Sequence, residues 1–405
     1  MYDNLLHQNV SSLLTSDISG ACLPGAVLFS GSQGAGKLTA ALETARILSC
    51  SGQKKGYWMC NCPSCLQHKA LVSSNLILCG PRDCTPEISA ASRTFLNSVM
   101  NSASYLTAAR YLFIRSIRKL TLRFNPVLWE GDDKVSKIAA ITSSIDEELE
   151  TIDFPHELPD FQTVQKTVEK LVPLCKKLEE EFLYDSIPIA QIRNMASWAH
   201  LKSTEGKKTI IIENADRMLE PVRNALLKIL EEPPADTVFV LTTSKRNAVM
   251  PTILSRVRTY SFADRTLEQQ KEVISRVFHN ETFEGSVGDY LVTFLPVSPD
   301  VLKTNARDFY SCIADSRIPD YEKILKACEK FEPRVMFKIF LSEIQKSASF
   351  LLKTPDGVQA LKELSEAVQL CWNNVTVYNQ SVKAALEVLV RDMSKINKLH
   401  GSILK

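Results

Sequence analysis

The sequence predicts an α/β fold followed by a helical C-terminal region. Short apolar runs that end in glycine or polar residues occur at 27–30, 209–212 and 238–241. Such runs are typical of buried parallel strands. Apolar residues recur at helical spacing over 38–48, after the first run, and over 221–230, between the other two. Strands that alternate with helices indicate an α/β domain, and the helical periodicity that alone remains after about residue 262 indicates an all-α C-terminal third.

Length and composition set limits on the class of protein. A chain of 405 residues suggests roughly two to four domains. Hydrophobic residues make up 45% and charged residues 23%, the balance of a folded, helix-rich protein. No run approaches the roughly 18 apolar residues of a membrane span, and the N-terminus lacks the pattern of a signal peptide, so we expect a cytoplasmic protein. The net charge of +2 gives no overall attraction to nucleic acid or membrane.

A glycine-rich loop follows the first predicted strand. It fits the phosphate-binding pattern G-x-x-x-x-G-K through Gly31, Gly34, Gly36 and Lys37. Lys37 would supply positive charge to nucleotide phosphates, but Leu38 stands where a hydroxyl normally holds Mg²⁺. Thr39 is turned away by about 100° of helix rotation. We therefore expect weak binding of ATP and Mg²⁺, or a loop retained only as a structural turn.

The next two predicted strands end in polar residues that should face this loop. Glu213 and Asn214 stand where an acidic motif normally supplies a metal ligand and a general base, and an amide cannot act as that base. Glu213 could still bind a metal through its carboxylate. Thr243, at the end of the third strand, is a further candidate nucleotide-binding residue, since ligands of open α/β sheets lie at the carboxyl ends of strands.

Four cysteines lie within 16 residues in the pattern C-x9-C-x-C-x2-C. They are Cys50, Cys60, Cys62 and Cys65. In a reducing compartment such a cluster favours a structural Zn²⁺ site over disulfides, the alternative being scattered buried cysteines. The single-residue gap between Cys60 and Cys62 is short for a zinc site, and Cys79, Cys84 or His68 are reserve ligands.

The long segment at about 70–186 contains two patterns. Apolar residues at alternating spacings of three and four over 161–182 predict an amphipathic helix on its own domain, or alternatively an intermolecular coiled coil. Residues 88–129 carry six arginines or lysines and no acidic residue. These cations predict a solvated helical face, with contact to DNA or an acidic partner as the alternative.

Several motifs, in this order along the chain, resemble the clamp-loader subunits of bacterial DNA polymerase III. They are the glycine loop, the cysteine cluster, 189–193, 210–218, the string N-A-L-L-K-I-L-E-E-P-P at 224–234, and P-T-I-L-S-R at 251–256. The resemblance implies an AAA+ Rossmann-like ATPase domain at 1–262, with a zinc module at about 50–65. The segment at about 70–186 departs from the family pattern because it is longer than expected, and its position after the zinc module predicts a helical insertion in the ATPase domain. The resemblance further implies a helical lid at 263–325 and a helical collar at 326–405.

Within this family, the altered residues Leu38, Glu213 and Asn214 are similar to the delta-prime type rather than to the active gamma/tau motor. The resemblance implies a ring subunit that is not catalytic alone, partnered by gamma/tau and delta subunits and, through the complex, by the sliding clamp and primed DNA. It also implies that Arg256 acts in trans as an arginine finger. The rival interpretations are an active gamma/tau motor and a zinc-stabilised scaffold outside the clamp loader.

Overall fold

The computed structural model describes residues 1–80, 84–203, 206–378 and 380–404, which divide into two compact units, 1–290 and 291–405. The strands of the first unit are β1 Ala26–Ser30, β2 Leu76–Cys79, β3 Lys208–Ile212, β4 Thr237–Thr243 and β5 Arg258–Ser261. They form one parallel sheet in the order β2-β3-β4-β1-β5. The carboxyl ends of β1, β3 and β4 therefore lie side by side, and open α/β sheets bind ligands at the carboxyl ends of their strands.

Helices cover both faces of this sheet. The helices that precede the C-terminal bundle are α1 Val10–Ser19, α2 Lys37–Ser49, α3 Pro63–Ala70, α4 Thr85–Met100, α5 Leu106–Thr121, α6 Val135–Glu150, α7 Phe161–Phe182, α8 Ile189–His200, α9 Glu220–Glu231, α10 Pro251–Leu254, α11 Leu267–Phe278 and α12 Val287–Val292, the last containing the division between units. Alternate strand residues point to opposite sides. Leu28 and Phe239 enter one core with α4–α9, and Phe29 and Val240 enter another with α1 and α2. The α/β prediction is confirmed.

Two of the five strands were not predicted. β2 lies inside the segment 70–186, which was expected to be helical, and it is the strand at one edge of the sheet. Its four buried residues make too short an apolar run to distinguish strand from helix. β5 lies at the opposite edge and carries only one buried side chain, Tyr260. An edge strand with so few buried positions leaves no apolar run in the sequence.

The stripe of apolar residues at 161–182 forms α7, and its buried members belong to the core of the first unit. The helix continues through Pro173 and packs against α4 and α6. The interpretation as an amphipathic helix on its own domain is therefore confirmed. The coiled-coil alternative is wrong, because the apolar face is buried within the chain.

The basic residues of 88–129 have partners inside the fold. Arg110 donates to the carbonyl oxygens of residues 152, 153 and 156, at 2.6–2.7 Å. Arg118 pairs with Asp153, Lys119 with Glu87, and Arg123 with Glu213. Arg115 donates to the carbonyl of Lys69, and Arg93 also has an interaction partner. The prediction of a solvated helical face is thus wrong for most of these cations, because they bind partners within the fold. Contact with DNA or an acidic partner stays a prediction.

The second unit is a helical bundle with its own core. Its helices are α13 Pro299–Ala314, α14 Tyr321–Ala327, α15 Val335–Ser347, α16 Pro355–Thr376 and α17 Val382–Leu399. Aromatic side chains, including Phe309, Phe331 and Phe340, pack edge to face at its centre. No strand occurs among the described residues after Ser261, as predicted for the C-terminal third. The lid and collar, with their boundaries near 262 and 325, remain predictions.

No described helix has both the length and the apolar content that crossing a membrane requires.

Candidate nucleotide site and candidate metal centre

The glycine-rich loop connects β1 to α2 at the ligand-binding edge of the sheet. Gly34 and Gly36 have φ angles of +79° and +92°, in the left-handed region that favours glycine. Gly31 lies close to the residue that follows β5, and a Cβ added to Gly31 would come within 2.7 Å of the Cβ of Phe262. The predicted loop glycines therefore meet backbone requirements. These requirements hold whether or not a phosphate binds.

Lys37 begins α2, and its ammonium group is turned back onto the loop. Nζ donates to the carbonyl oxygens of Gly31 at 2.7 Å and Ser32 at 2.6 Å. Burial lowers the pKa of Lys37, while the nearby carboxylates of Glu213, Asp216 and Asp264 oppose that shift. To contact a phosphate, the ammonium group would have to break these two hydrogen bonds.

Arg265 also contacts the glycine-rich loop, and the sequence did not predict this contact. It follows β5, and its guanidinium donates to the carbonyl of Gly34 and, at 2.8 Å, to that of Leu6. Leu5 lies beside it, 2.9 Å from where a Cβ of Gly36 would stand. The N-terminal segment and Arg265 thus fix the loop from outside. No local pattern marks Arg265, because its partners are more than 200 residues away in the sequence.

Glu213 is the carboxylate that follows β3, and it is bound by an arginine of the same chain. The Nη2 of Arg123 donates to its Oε2, and the two side chains are 5% and 15% exposed. Burial disfavours the charged form of Arg123 and so lowers its pKa, but the electrostatic effect of the neighbouring Cys84 and Glu213 is larger, so the pKa of Arg123 is raised. A buried guanidinium of the same chain therefore neutralises the Glu213 carboxylate.

The other candidate nucleotide-binding residues are Asn214, Thr243 and Thr39, and none of their side chains carries a carboxylate. Asn214 adopts a left-handed conformation with φ of 52°, and its backbone N–H donates to the hydroxyl oxygen of Thr242 at 3.4 Å. Thr243 is fully buried and donates to Asp216 at 2.6 Å, a partner that the sequence analysis did not single out. Thr39 lies in the first turn of α2 and is partly buried. The side chain of Asn214 is an amide, which cannot act as a general base.

The four clustered cysteines converge on one point. All four Sγ atoms lie within 4.8 Å of one another, and those of Cys50 and Cys60 are 3.8 Å apart. A tetrahedral zinc with Zn–S bonds of about 2.3 Å separates its sulfurs by about 3.8 Å. The short gap between Cys60 and Cys62 does not prevent convergence, because Cys62 caps the N-terminus of α3 while Cys60 lies in the preceding loop. The donor set fits a metal ion.

The loop between the first two cysteines is shaped to this cluster. A Cβ on Gly52 would lie 2.5 Å from the Sγ of Cys60, so any larger residue there would displace this sulfur. Burial raises the pKa of Cys62, but hydrogen bonds from the Cys65 amide and from Ser51 outweigh it and lower that pKa to about 6. A thiolate, the form that binds metals, is therefore accessible at neutral pH.

The reserve ligands do not belong to the cluster. Cys79 donates to Gln191 at 3.5 Å, and burial raises its pKa to about 12. Cys84 is buried near Arg123 and Glu213, and its pKa is also raised. His68 is hydrogen-bonded to Ser73 at 3.2 Å, and burial with two nearby arginines lowers its pKa to about 4. None of these three residues belongs to the group of four converging Sγ atoms, so none replaces a clustered cysteine as a metal ligand.

Arg256 follows α10 and is held at the surface. Its Nη2 and Nε donate to Glu231 at 3.0 and 3.2 Å, and its Nη1 donates to the carbonyl of Thr252 at 2.9 Å. The Arg256 and Glu231 side chains are 29% and 61% exposed. Exposed pairs of this kind contribute about 0–1 kcal/mol, so the guanidinium is readily released to another acceptor.

Comparisons with known proteins agree with these motifs. A family model described as DNA polymerase III, delta subunit matches residues 6–138 and 155–266, more than half of the chain. The segment 70–186, treated above as a departure from the family, is thus covered except for residues 139–154.

Two relatives and one solved structure illustrate the similarity. The DNA polymerase III subunit delta' of Bacillus subtilis is 42% identical over 71 residues, 16% of this chain and 22% of that protein. The gamma/tau subunit of Mycobacterium tuberculosis is 31% identical over 91 residues, 22% of this chain and 15% of that protein. A gamma subunit-related protein of Thermotoga maritima aligns with 57% of this chain and 90% of that chain, at 15% identity and a TM-score of 0.27. The matched stretches span 22% and 15% of the length of these two curated relatives.

Proposed function

The chain belongs to the DNA polymerase III delta-subunit family, and on that premise we propose that it is a clamp-loader subunit of the delta-prime type. It works in a cytoplasmic hetero-oligomeric ring with gamma/tau and delta subunits that loads the sliding clamp onto primed DNA. Residues 1–262 serve as the AAA+ module, 263–325 as its lid and 326–405 as the collar that joins the ring.

The observation that carries the delta-prime assignment is the ion pair between Arg123 and Glu213. Glu213 is the carboxylate of the acidic motif, and a carboxylate neutralised by a buried guanidinium is not free to bind Mg²⁺. Leu38 and Asn214 lack the other two groups that hydrolysis needs. Together these features favour a subunit that binds ATP weakly and does not hydrolyse it, with Lys37, Thr39 and Thr243 as the remaining candidate nucleotide-binding residues.

The test combines assembly with ATP turnover. We expect the purified chain to form a stable complex with the gamma/tau and delta subunits of its own organism. Alone, it should hydrolyse ATP no faster than the Lys37→Ala variant, since the metal-binding hydroxyl and the general base are both missing. Steady hydrolysis that Lys37→Ala abolishes would instead identify a gamma/tau-type motor. Failure to assemble would leave only a scaffold outside the clamp loader.

We further propose that Cys50, Cys60, Cys62 and Cys65 hold a structural Zn²⁺. The support is the convergence of their four Sγ atoms within 4.8 Å. A closed shell of four thiolates leaves no open position for substrate or water, so the ion would fix the fold of the loop at 51–59 without taking part in a reaction.

Metal analysis checks this proposal. Protein purified without a metal-binding tag should contain about one zinc per chain, because a single closed shell is available. Changing Cys62 and Cys65 to serine should remove the zinc, since a hydroxyl is a far poorer zinc ligand than a thiolate. Cys22→Ser is the matched control, because Cys22 is exposed and outside the cluster. Unaltered zinc content in the Cys62 and Cys65 variants would contradict the assignment.

A further inference from the structure

A buried arginine connects the helix that follows the phosphate loop to the cysteine cluster. Arg46 lies on α2 and is 2% exposed. Its Nε and Nη2 donate to the two carboxylate oxygens of Glu43, one turn earlier on the same helix, at 3.0 and 2.6 Å. This pair neutralises the charge that burial would otherwise penalise.

The remaining donors of Arg46 reach the cysteine cluster and its loop. Nη2 donates to the carbonyl of Gly56 at 2.9 Å, and Nη1 donates to the carbonyl of Tyr57 at 3.2 Å. Nη1 also donates to the Sγ of Cys65 at 3.2 Å. A guanidinium offers five N–H groups in a fixed plane, and here five acceptors on three chain segments are in place to receive them.

This arrangement differs from that of the other cation beside the cluster. Lys69 donates at 2.9 Å to the backbone carbonyl of Cys60, and both Lys69 and Arg46 lie over the ring of Trp58. Within the described part of the chain, the Lys69 hydrogen bond goes to a backbone oxygen of the cluster and not to a sulfur, whereas Arg46 donates directly to the Sγ of Cys65. Four thiolates around one Zn²⁺ carry a net negative charge, which a cation hydrogen-bonded to one sulfur partly offsets.

We propose that Arg46 is a positioning residue of the zinc centre, holding the Cys65 sulfur and the loop at 56–57 in the geometry that the metal requires. This inference rests on the zinc centre proposed above. Groups that hydrogen-bond to metal ligands set the orientation of those ligands, and their loss typically lowers metal affinity by about 10–100-fold. Because Arg46 lies on the helix that begins at Lys37, it also links the metal centre to the phosphate loop.

The experiment measures Zn²⁺ affinity by competition with a chromophoric chelator, and the absorption of the Co²⁺-substituted protein. Arg46→Met should weaken Zn²⁺ binding about 10–100-fold and shift the cobalt bands, since Cys65 loses its donor. Arg46→Lys should rescue little, because an ammonium places all three N–H groups on one atom. If Arg46→Met does not fold, the lysine variant decides. Lys69→Met, which removes a neighbouring cation without a donor to sulfur, should bind zinc almost as tightly as the wild-type chain.

The outcomes separate this inference from those on which it rests. Failure of the wild-type chain to bind zinc would refute the metal centre, while complex assembly tests the clamp-loader assignment independently. If the wild-type chain binds zinc and both Arg46 variants match its affinity and cobalt spectrum, Arg46 only packs α2 against the loop and the proposal is wrong. An equal loss in Lys69→Met would show that nearby positive charge acts rather than the hydrogen bond, which also overturns it.

Discussion

Replacing Arg123 by methionine is expected to lower the free energy of unfolding of the unit at 1–290 by about 3–5 kcal/mol. The substitution leaves the Glu213 carboxylate, which is 15% exposed, without its counter-ion. Removing one member of a buried pair costs far more than the pair itself contributes, because the charge left behind is poorly solvated. Urea unfolding followed by circular dichroism measures the difference.

Two variants show whether the unpaired charge is the cause. The double substitution Arg123→Met with Glu213→Met should recover most of the lost stability, since buried ion pairs can often be replaced by apolar residues at little cost. Lys119→Met is the matched control, because Lys119 pairs with Glu87 in a more exposed setting, at 17% and 29%. It should cost no more than about 1 kcal/mol. Equal losses for Arg123→Met and Lys119→Met would contradict the buried-pair interpretation.

This ion pair also marks the limit of what the sequence could predict. The sequence predicted the glycine loop and the cysteine cluster because each lies within a short segment of the chain, where residue type and spacing determine the geometry. Arg123 and Glu213 are 90 residues apart, and in the sequence Arg123 is one member of a basic run. They come together because the segment after α5 packs against β2, which is the neighbour of β3 in the sheet, and no local pattern encodes that packing.

The fold shows the same division between local and tertiary information. The strands β1, β3 and β4 are central or nearly so, and their buried residues form apolar runs. The edge strands β2 and β5 have four residues each, and they are strands because neighbours supply their hydrogen bonds. Arg46 illustrates the point within a helix, since its acceptors on the loop and on Cys65 follow 10 to 19 residues later.

Arg256→Ala is expected to lower the ATPase and clamp-loading rates of the assembled complex while leaving assembly unchanged. Under the proposed function, the Arg256 guanidinium neutralises charge that develops on the phosphoryl group bound by a neighbouring subunit. A sole arginine finger alters rate by about 10³ to 10⁵-fold, and several subunits share the task here, so a smaller loss of about tenfold or more is expected. Steady-state ATPase and loading assays on the reconstituted complex give both rates.

The surface position of Arg256 makes this test selective. Its partner Glu231 is 61% exposed, so breaking their pair should cost at most about 1 kcal/mol and leave the thermal unfolding of the isolated chain almost unchanged. Arg276→Ala is the matched control, because it removes another surface arginine paired with a glutamate, at 2.6 Å, away from the S-R motif.

Further variants separate the charge of Arg256 from its planar geometry and from its tether. Arg256→Lys should rescue little, since an ammonium lacks the planar fork that binds two phosphoryl oxygens. Glu231→Gln should preserve both rates, because it weakens the tether without altering the guanidinium. If a correctly assembled Arg256→Ala complex hydrolyses ATP and loads clamps as fast as the Arg276→Ala control, Arg256 has no part in the mechanism. The family relationship would then stand without a catalytic contribution from this chain to its neighbour.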